Sequence, residues 1–299
     1  MIGLNRRRTL SPGEMFPAGE QGYRVTFPRL RSGLGIRVVE RGAPTAPPVL
    51  LVHGWACDAY VFRYNMPALA TAGYRAVAID LKGHGLSDKP TAAGEYTIDA
   101  LVEHLAEVMD ALQLQRPALV GHSLGGSLIY HFAARHPERA RCLGLLSPVG
   151  LNGVPLMWLY KLATPAILKP FIKRVRSRAV VKIALRRVYG RRGHYSARDV
   201  EEFLAPAQFP EYAIALRELL HHYDWKAGEH RELAVLDLPA LGVWGSLDHM
   251  MPEDGMGRYV PLLPQLVLRR IPEAGHLITE ETPAEVNDAL IALLRHAEG

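Results

Sequence analysis

The chain has 299 residues, 48% of them apolar and 22% charged, and a formal net charge of +5 at pH 7. These proportions are those of a soluble globular protein that can bury a sizeable core. Two cysteines, Cys57 and Cys142, are too few for a disulfide framework. The basic N-terminal stretch is not followed by an apolar run, so neither a signal peptide nor a membrane span is predicted. We expect a cytoplasmic protein whose residues 1–21 form a flexible arm.

The first 150 residues alternate between short β-rich runs and helical patterns. The later runs are continuously apolar, as is typical of parallel strands covered on both faces. Helices are predicted at 60–72, 98–113 and 124–136, and in the second of these the apolar side chains lie on one helical face. The predicted strands are 23–30, 35–40, 48–54, 74–80, 117–123 and 141–147.

The alternation stops near residue 150 and resumes after residue 232. Strands are predicted again at 239–245 and 265–271, followed by a last helix at 283–296. Alternating strands and helices predict an α/β fold, a doubly wound, mostly parallel eight-stranded sheet with helices on both faces. The intervening segment is helical in pattern, basic and rich in aromatics. The predicted core is therefore 22–151 and 233–299, with an inserted helical cap at 152–232.

Residues 121–125 form the pattern Gly-x-Ser-x-Gly at the junction of a predicted strand and a predicted helix. Small residues at its two ends allow a strand to turn abruptly into a helix, which puts Ser123 on a strained turn with its hydroxyl above the sheet. The N-terminus of the helix then points at the same place and stabilises developing negative charge. Ser123 is therefore the predicted nucleophile.

A serine hydroxyl needs a base to take its proton, and the base needs an acid to orient it. His276 lies between a predicted strand and a predicted helix, at the carboxyl end of the sheet where Ser123 also lies. Asp248 has the same placement after the preceding strand, with Asp254 as a nearby competitor. The loop after the sixth strand offers only Asn152, which carries no charge. The order Ser123, Asp248, His276 is the one that nucleophile-elbow hydrolases use.

Two backbone N–H groups are predicted to bind the oxyanion of such a reaction. One belongs to Leu124, directly after the nucleophile, and the other to Trp55, in the loop beyond the strand that ends at His53 and Gly54. We expect His53 to hold this loop rather than to act as a base. His122 points to the other side of its strand and is also a poor candidate for the base.

Five short segments resemble those of the α/β-hydrolase superfamily, in the same order and spacing, and the resemblance covers about residues 22–297. It implies a helical cap after the sixth strand, a structural turn at 80–87, and the serine branch of esterases, lipases, lactonases and some carbon–carbon bond hydrolases. Epoxide hydrolases and haloalkane dehalogenases of that fold carry aspartate at the elbow, so Ser123 argues against both. The segments are HGW at 53–55, DLKGHGLSD at 80–88, GHSLGG at 121–126, WGSLD at 244–248 and GH at 275–276.

The charge is unevenly distributed along the chain. Residues 139–198 contain 14 of the 35 Lys and Arg and no acidic residue, whereas the remainder has a balance of −9. Within 161–193, apolar residues recur at near-helical spacing among 11 basic ones. Two interpretations stay open: a solvated outer face of a cap that covers the pocket, or a surface that touches anionic membrane. The membrane contact would be made by Lys173, Arg174, Arg176, Arg178, Lys182, Arg186 and Arg187.

Together these features predict a serine hydrolase that cleaves carboxylic esters with an apolar acyl group through an acyl-enzyme, with no metal or organic cofactor. No nucleic-acid-binding module accompanies the basic segment, so the expected partner is a small-molecule ester. The same triad could instead cleave a lactone or a β-diketone carbon–carbon bond, support perhydrolysis, or lie idle in an accessory protein. The cap aromatics expected to line the acyl pocket are Trp158, Phe203, Phe209 and Tyr212.

Overall fold

A computed structural model describes residues 9–151, 153–172, 176–251 and 255–298. Its eight strands are β1 (Tyr23–Thr26), β2 (Val38–Arg41), β3 (Pro48–Val52), β4 (Arg75–Ile79), β5 (Ala118–His122), β6 (Leu143–Leu146), β7 (Ala240–Gly245) and β8 (Leu266–Ile271). They form one sheet in the order β1-β2-β4-β3-β5-β6-β7-β8. The pairs β1–β2 and β2–β4 are antiparallel and all the others are parallel, which confirms the predicted mostly parallel sheet.

Helices cover both faces of this sheet, as predicted. The α-helices of the described residues are α1 (Asn65–Thr71), α2 (Ile98–Ala111), α3 (Leu124–Arg135), α4 (Met157–Ala163), α5 (Lys169–Ile172), α6 (Arg178–Val188), α7 (Ala197–Leu204), α8 (Pro210–His222), α9 (Ala227–His230), α10 (Ile278–Glu281) and α11 (Pro283–His296). The side chains of α2 and α3 join one hydrophobic core, and those of α1 and α11 join the other. No helix in the described ranges is long and apolar enough to cross a membrane.

Strand side chains alternate between the two cores because successive residues of a strand point to opposite faces. In β3, Leu50 and Val52 belong to the core under α2 and α3, whereas Val49 and Leu51 belong to the core under α1 and α11. All four are fully buried. Burial of one such side chain contributes about 1.5–3 kcal/mol. The continuous apolar runs in the sequence follow from this two-sided burial.

The helix α2 shows how local sequence sets the limits of an element. It starts after Thr97, whose side chain accepts a hydrogen bond from the N–H of Ala100 at 3.2 Å and so caps the helix. Its core face repeats at helical spacing and stays buried along the whole helix. Gln113, just beyond the end, has a φ of +55° and turns the chain away. The helix therefore ends at Ala111, two residues before the end of the predicted range 98–113.

The N-terminal segment differs from the flexible arm that was predicted for residues 1–21. Met15 and Phe16 are each only 2% exposed, and the N–H of Phe16 donates to Glu202 in α7 at 2.9 Å. The ring of Phe16 packs edge-on against Tyr23 and Tyr60, with centroids 5.1 and 5.8 Å apart. Two isolated apolar residues have no periodicity that sequence patterns could detect, which explains the error. Residues 1–8 lie outside the described residues.

Between β6 and β7 the chain forms a helical layer, α4 to α9, at the position where a cap was expected. Hydrogen bonds between this layer and the loops that follow β3 and β8 place it at the carboxyl ends of the strands. The indole N–H of Trp55 donates to the carbonyl of Leu216 in α8 at 3.0 Å. The N–H of His276 donates to the carbonyl of Val188 at the end of α6 at 2.7 Å.

The packing of Phe16 gives a test of the N-terminal segment. We expect Phe16→Ala to lower the free energy of unfolding by about 3–5 kcal/mol, because it removes a buried ring and leaves a cavity. The matched control is Phe27→Ala, at a ring that is 57% exposed, which we expect to change the same quantity by less than about 0.5 kcal/mol. Denaturant titration measures both. Equal, small effects would show that the segment is a loose arm after all.

Candidate active site

The turn from β5 into α3 holds Ser123 in an unusual backbone conformation, with φ +55° and ψ −119°. A Cβ on Gly121 would lie 2.3 Å from the carbonyl oxygen of Gly125, and a Cβ on Gly125 would lie 2.1 Å from the carbonyl oxygen of Val52. Both distances are far inside van der Waals contact, so the turn closes only with glycine at these two positions. The Ser123 side chain does not cap α3. Its hydroxyl is therefore free for chemistry.

Asp248 and His276 are in direct contact. The Oδ2 atom of Asp248 lies 2.8 Å from Nδ1 of His276, and the two side chains are only 1% and 6% exposed. Burial acts to raise the pKa of the Asp248 carboxyl, but the charge and hydrogen bond of His276 and the N–H groups of Met250 and Met251 outweigh it. The pKa of Asp248 therefore lies below its ordinary value. In a neutral imidazole, an ionised Asp248 favours the tautomer with the proton on Nδ1, in which Nε2 is the acceptor.

His122 links the histidine loop to the strand that carries the nucleophile. Its Nε2 lies 2.9 Å from the carbonyl oxygen of His276, and the two rings are 5.0 Å apart. Burial and the neighbouring His276 lower the pKa of His122 to about 3, so the ring stays neutral and is a weak base. Ser123 Oγ has no hydrogen-bond partner among the described residues. The structure thus joins the predicted acid and base, and His122 links their loop to the strand that leads into Ser123. No hydrogen bond joins Ser123 and His276 among the described residues.

The two predicted oxyanion donors have no acceptor among the residues that the structure describes. Leu124 is the first residue of α3, where a helix leaves its N–H groups unpaired, and Trp55 lies in the loop beyond β3. Gly54, between that loop and the strand, approaches Ser123 closely, since a Cβ on it would lie 3.3 Å from Ser123 Oγ. Leu124 and Trp55 therefore flank the nucleophile from its own helix and from the neighbouring loop.

His53 and Asp80 support this loop, as expected for structural residues. Nε2 of His53 accepts the N–H of Leu81 at 2.9 Å, so Nδ1 carries the proton and donates to the carbonyl of Gly54 at 2.7 Å. Asp80 is fully buried, pairs with Arg37 at 3.2 Å and accepts the N–H of Ala59 at 2.9 Å. Neither side chain has an atom left for a substrate proton.

One contact at the site was not predicted from the sequence. Glu281 accepts the N–H of Gly190 at 2.8 Å with one oxygen and the N–H of Gly275 at 2.9 Å with the other. Gly190 follows α6 of the cap, and Gly275 precedes His276. The carboxylate therefore ties the cap to the histidine loop. Glu281 comes five residues after the predicted base, in a run of polar residues that no spacing rule distinguishes from a helix start.

Comparisons with known proteins agree with this architecture. The family model for the alpha/beta hydrolase fold matches residues 47–174. A putative aryl esterase from Burkholderia cenocepacia superposes with a TM-score of 0.76 over 92% of this chain and 99% of that one, at 22% identity. The chain belongs to the α/β-hydrolase superfamily.

Two curated relatives show how far the similarity extends. This α/β hydrolase is 33% identical over 266 residues to the dihydrolipoyllysine-residue acetyltransferase component of an acetoin cleaving system from Pseudomonas putida, which covers 87% of the chain and 66% of the relative. It is 35% identical over 118 residues to bifunctional epoxide hydrolase 2 of Sus scrofa, over 40% of the chain and 21% of the relative. The chain thus spans two thirds or less of the curated relatives it matches here.

The four cap aromatics predicted to line the acyl pocket take different positions in the structure. Tyr212 is buried, and its hydroxyl lies 3.5 Å from the carbonyl oxygen of Ala56, beside the Trp55 loop. Phe203 packs edge-on against Tyr60, at 6.1 Å between centroids, and Phe209 lies under the ammonium of Lys89 at 4.5 Å. Trp158 is 63% exposed, so it does not line a closed pocket, contrary to the prediction. Its helix, α4, turns this position outward.

Asp254, the competing acid of the sequence analysis, and Asn152, the uncharged residue after the sixth strand, lie outside the described residues. Of the carboxylates named there, Asp248 is therefore the one whose contact with His276 the structure describes.

Gly54 offers a test of the geometry around Ser123. A methyl group at this position would lie 2.9 Å from Ser123 Cβ, so we expect Gly54→Ala to displace the nucleophile and lower its labelling by a fluorophosphonate at least about 100-fold, as misplacement at a reacting centre does. The control is Gly94→Ala, where no atom lies within 4 Å of an added Cβ. We expect normal labelling of that variant and unchanged circular dichroism of both. Normal labelling of Gly54→Ala would contradict the geometry.

Proposed function

We propose that the chain is a carboxylic-ester hydrolase that works through an acyl-enzyme on Ser123. The observation that carries this proposal is the buried 2.8 Å contact between Asp248 and His276, next to a serine held at positive φ. An ionised carboxylate on Nδ1 prepares the other ring nitrogen to take a proton from a hydroxyl. Free N–H groups at Leu124 and Trp55 supply the second requirement, a site for the oxyanion.

In the first half of the reaction, Ser123 Oγ attacks the ester carbonyl while Nε2 of His276 takes its proton. The carbonyl oxygen becomes an oxyanion, which the N–H groups of Leu124 and Trp55 stabilise. When the tetrahedral intermediate collapses, the bond to the alcohol breaks and His276 protonates the leaving oxygen. In the second half, His276 takes a proton from water while the water oxygen attacks the acyl carbonyl. The bond to Ser123 Oγ then breaks, His276 returns the proton to Oγ, and the carboxylic acid leaves.

A serine nucleophile favours ester cleavage over epoxide opening. If Ser123 opened an epoxide ring, the product would be an alkyl ether of serine, which water activated by histidine cannot cleave. A carboxylate nucleophile gives an ester at the same step, and water can hydrolyse that ester. The similarity to the Sus scrofa epoxide hydrolase covers 40% of the chain, and position 123 in this chain is serine. We therefore assign the substrate to the acyl class.

The surroundings of the loop that carries Trp55 support an apolar acyl group. The indole of Trp55 meets that of Trp225 edge-on with centroids 6.4 Å apart, and Tyr212 lies beside Ala56. Ser123 and His276 are only 9% and 5% exposed. A charged acyl group would lose its hydration in such a place and gain no partner. A lactone, or a β-diketone cleaved at carbon, would use the same serine and histidine.

The proposal predicts a defined loss for each of the three residues. We expect Ser123→Ala and His276→Ala to lower kcat for p-nitrophenyl esters by several orders of magnitude, and Asp248→Asn by about 10⁴, because the amide leaves the imidazole in the wrong tautomer. A fluorophosphonate should label Ser123 alone. His296→Ala, at an exposed histidine of α11, is the matched control and should keep full activity.

A substrate panel separates the proposal from its alternatives. Esters of increasing acyl length, a lactone and a β-diketone are compared with the wild type and with Ser123→Ala. We expect esters to be cleaved fastest, with a preference for medium or longer acyl chains. Full activity of His276→Ala, or an active Asp248→Asn beside an inactive Asp254→Asn, would contradict the assignment. Turnover of the β-diketone or the lactone alone would keep the triad and replace the substrate class.

A further inference from the structure

The first half of the cap exposes an unusual amount of apolar surface. Nine of the sixteen large apolar side chains that are exposed in the described residues lie between 156 and 183. The extreme values are 80% for Ile167, 70% for Leu162 and 66% for Phe171. Concentrated exposure of this kind marks a surface that contacts something else. These nine side chains, termed the apolar cap face, are Leu156, Trp158, Leu159, Leu162, Ile167, Leu168, Phe171, Val180 and Ile183.

The helix α6 turns its polar and apolar exposed residues to the same side. Leu185 is its buried residue, and Val181 and Val188 are partly covered on the same stripe, facing the protein. The opposite stripe carries Val180 and Ile183, which are 55% and 65% exposed. A helix that covers the protein with one stripe needs no large apolar residues on the other. Their presence in α6 is therefore unexplained by the fold.

The α4 helix and the end of α6 approach each other at one point. The guanidinium of Arg187 lies 5.9 Å from the ring centroid of Tyr160, which joins the end of α6 to α4. The α5 and α4 segments both pack on α8. The apolar cap face is thus carried by neighbouring segments of one layer.

Cations without acidic partners accompany this face. Lys161, Lys182 and Arg186 have no ion pair to an acid within the described residues, and Arg186 bonds instead to the hydroxyl of Tyr195 at 3.0 Å. By contrast, Lys169 pairs with Glu218 at 2.8 Å and Arg178 with Glu201 at 2.5 Å. Arg178 therefore does not present the free charge that was predicted for it. Lys173 and Arg174 lie outside the described residues.

We propose that the apolar cap face docks on an anionic lipid bilayer. Exposed Leu, Ile, Phe and Trp side chains enter the boundary between headgroups and acyl chains, while Lys161, Lys182 and Arg186 contact anionic headgroups. A helix of 11 residues is about 16 Å long, half the hydrocarbon thickness of about 30 Å, so α6 lies in the interface and does not span it. This inference is independent of the ester chemistry.

Charge complementarity selects a bilayer over other occupants. Lys161, Lys182 and Arg186, which no acid of the described residues neutralises, give the face a positive charge that repels a second copy of the same face. A nucleic acid would satisfy the cations but would leave nine apolar side chains in water. An anionic bilayer satisfies both sets at once.

The test is sedimentation with vesicles of phosphatidylcholine, with and without 30% phosphatidylglycerol, at low and high salt. We expect binding to the anionic vesicles alone, and weaker binding at high salt. The charge variant is Lys161→Glu, Lys182→Glu and Arg186→Glu, and its partition coefficient should fall about 100-fold or more. The apolar variant Leu162→Ser, Ile167→Ser and Ile183→Ser should also bind at least about tenfold more weakly. Circular dichroism checks that the variants fold.

The matched control reverses the charge of three exposed arginines that lie outside the cap and has the same change in net charge. Its substitutions are Arg116→Glu, Arg269→Glu and Arg295→Glu. We expect its vesicle binding to stay within about twofold of the wild type, because these residues lie outside the docking face. Loss of binding in this control equal to that in the charge variant would overturn the proposal. So would recovery of the wild type in the supernatant under all four conditions. Binding to duplex DNA without binding to vesicles, or a dimer that the apolar variant dissociates and that ignores vesicles, would also overturn it.

Discussion

The close approach of three backbone segments at Ser123 is the constraint on which the rest of the site depends. The start of α3 lies so near β3 that Gly125 has room only for hydrogen, and the end of β5 lies as near to Gly125. The chain between the two glycines has to turn within three residues, and Ser123 therefore takes a φ of +55°. A longer or less tightly packed β5–α3 connection would allow Ser123 an ordinary backbone conformation, and its side chain would then point in another direction. Strain of about 1–3 kcal/mol at one residue is sustained by the packing of both elements.

The histidine loop has no such internal constraint and is held from outside. His122 supports its backbone from the strand side, and Asp248 orients the ring. Val188 of the cap accepts the N–H of His276, and Glu281 of α10 accepts the N–H of Gly275. The cap is therefore more than a cover, because its Val188 holds the backbone of His276. The proposed lipid contact involves α6, and the carbonyl of Val188 in the last turn of α6 accepts the N–H of His276. The helix α6 therefore connects the apolar cap face with the candidate active site.

The sequence predicts the sheet and the tight turn at Ser123 because both leave local signals. Two-sided burial gives β3 its unbroken apolar run. The glycines around Ser123 are needed because β3, β5 and α3 approach one another so closely that a larger residue would clash. The packed N-terminal segment could not be predicted, since Phe16 packs on Tyr60 and its N–H bonds to Glu202, both of which lie far away in the chain. The same holds for the bond of Glu281 to Gly190. The prediction that Trp158 lines the pocket was wrong because the aromatic character of a residue does not indicate which side of its helix faces the protein.

The most direct test of an acyl-enzyme on Ser123 is a mass spectrum of the peptides obtained when turnover of p-nitrophenyl butyrate is quenched with acid. The variant Asp248→Asn, in which deacylation is slow, is used beside the wild type. The account predicts butyrate bound as an ester to the peptide that contains Ser123, and no acylated peptide from Ser123→Ala. Butyrate on an aspartate or on another serine, or turnover without any acylated peptide in either protein, would contradict it.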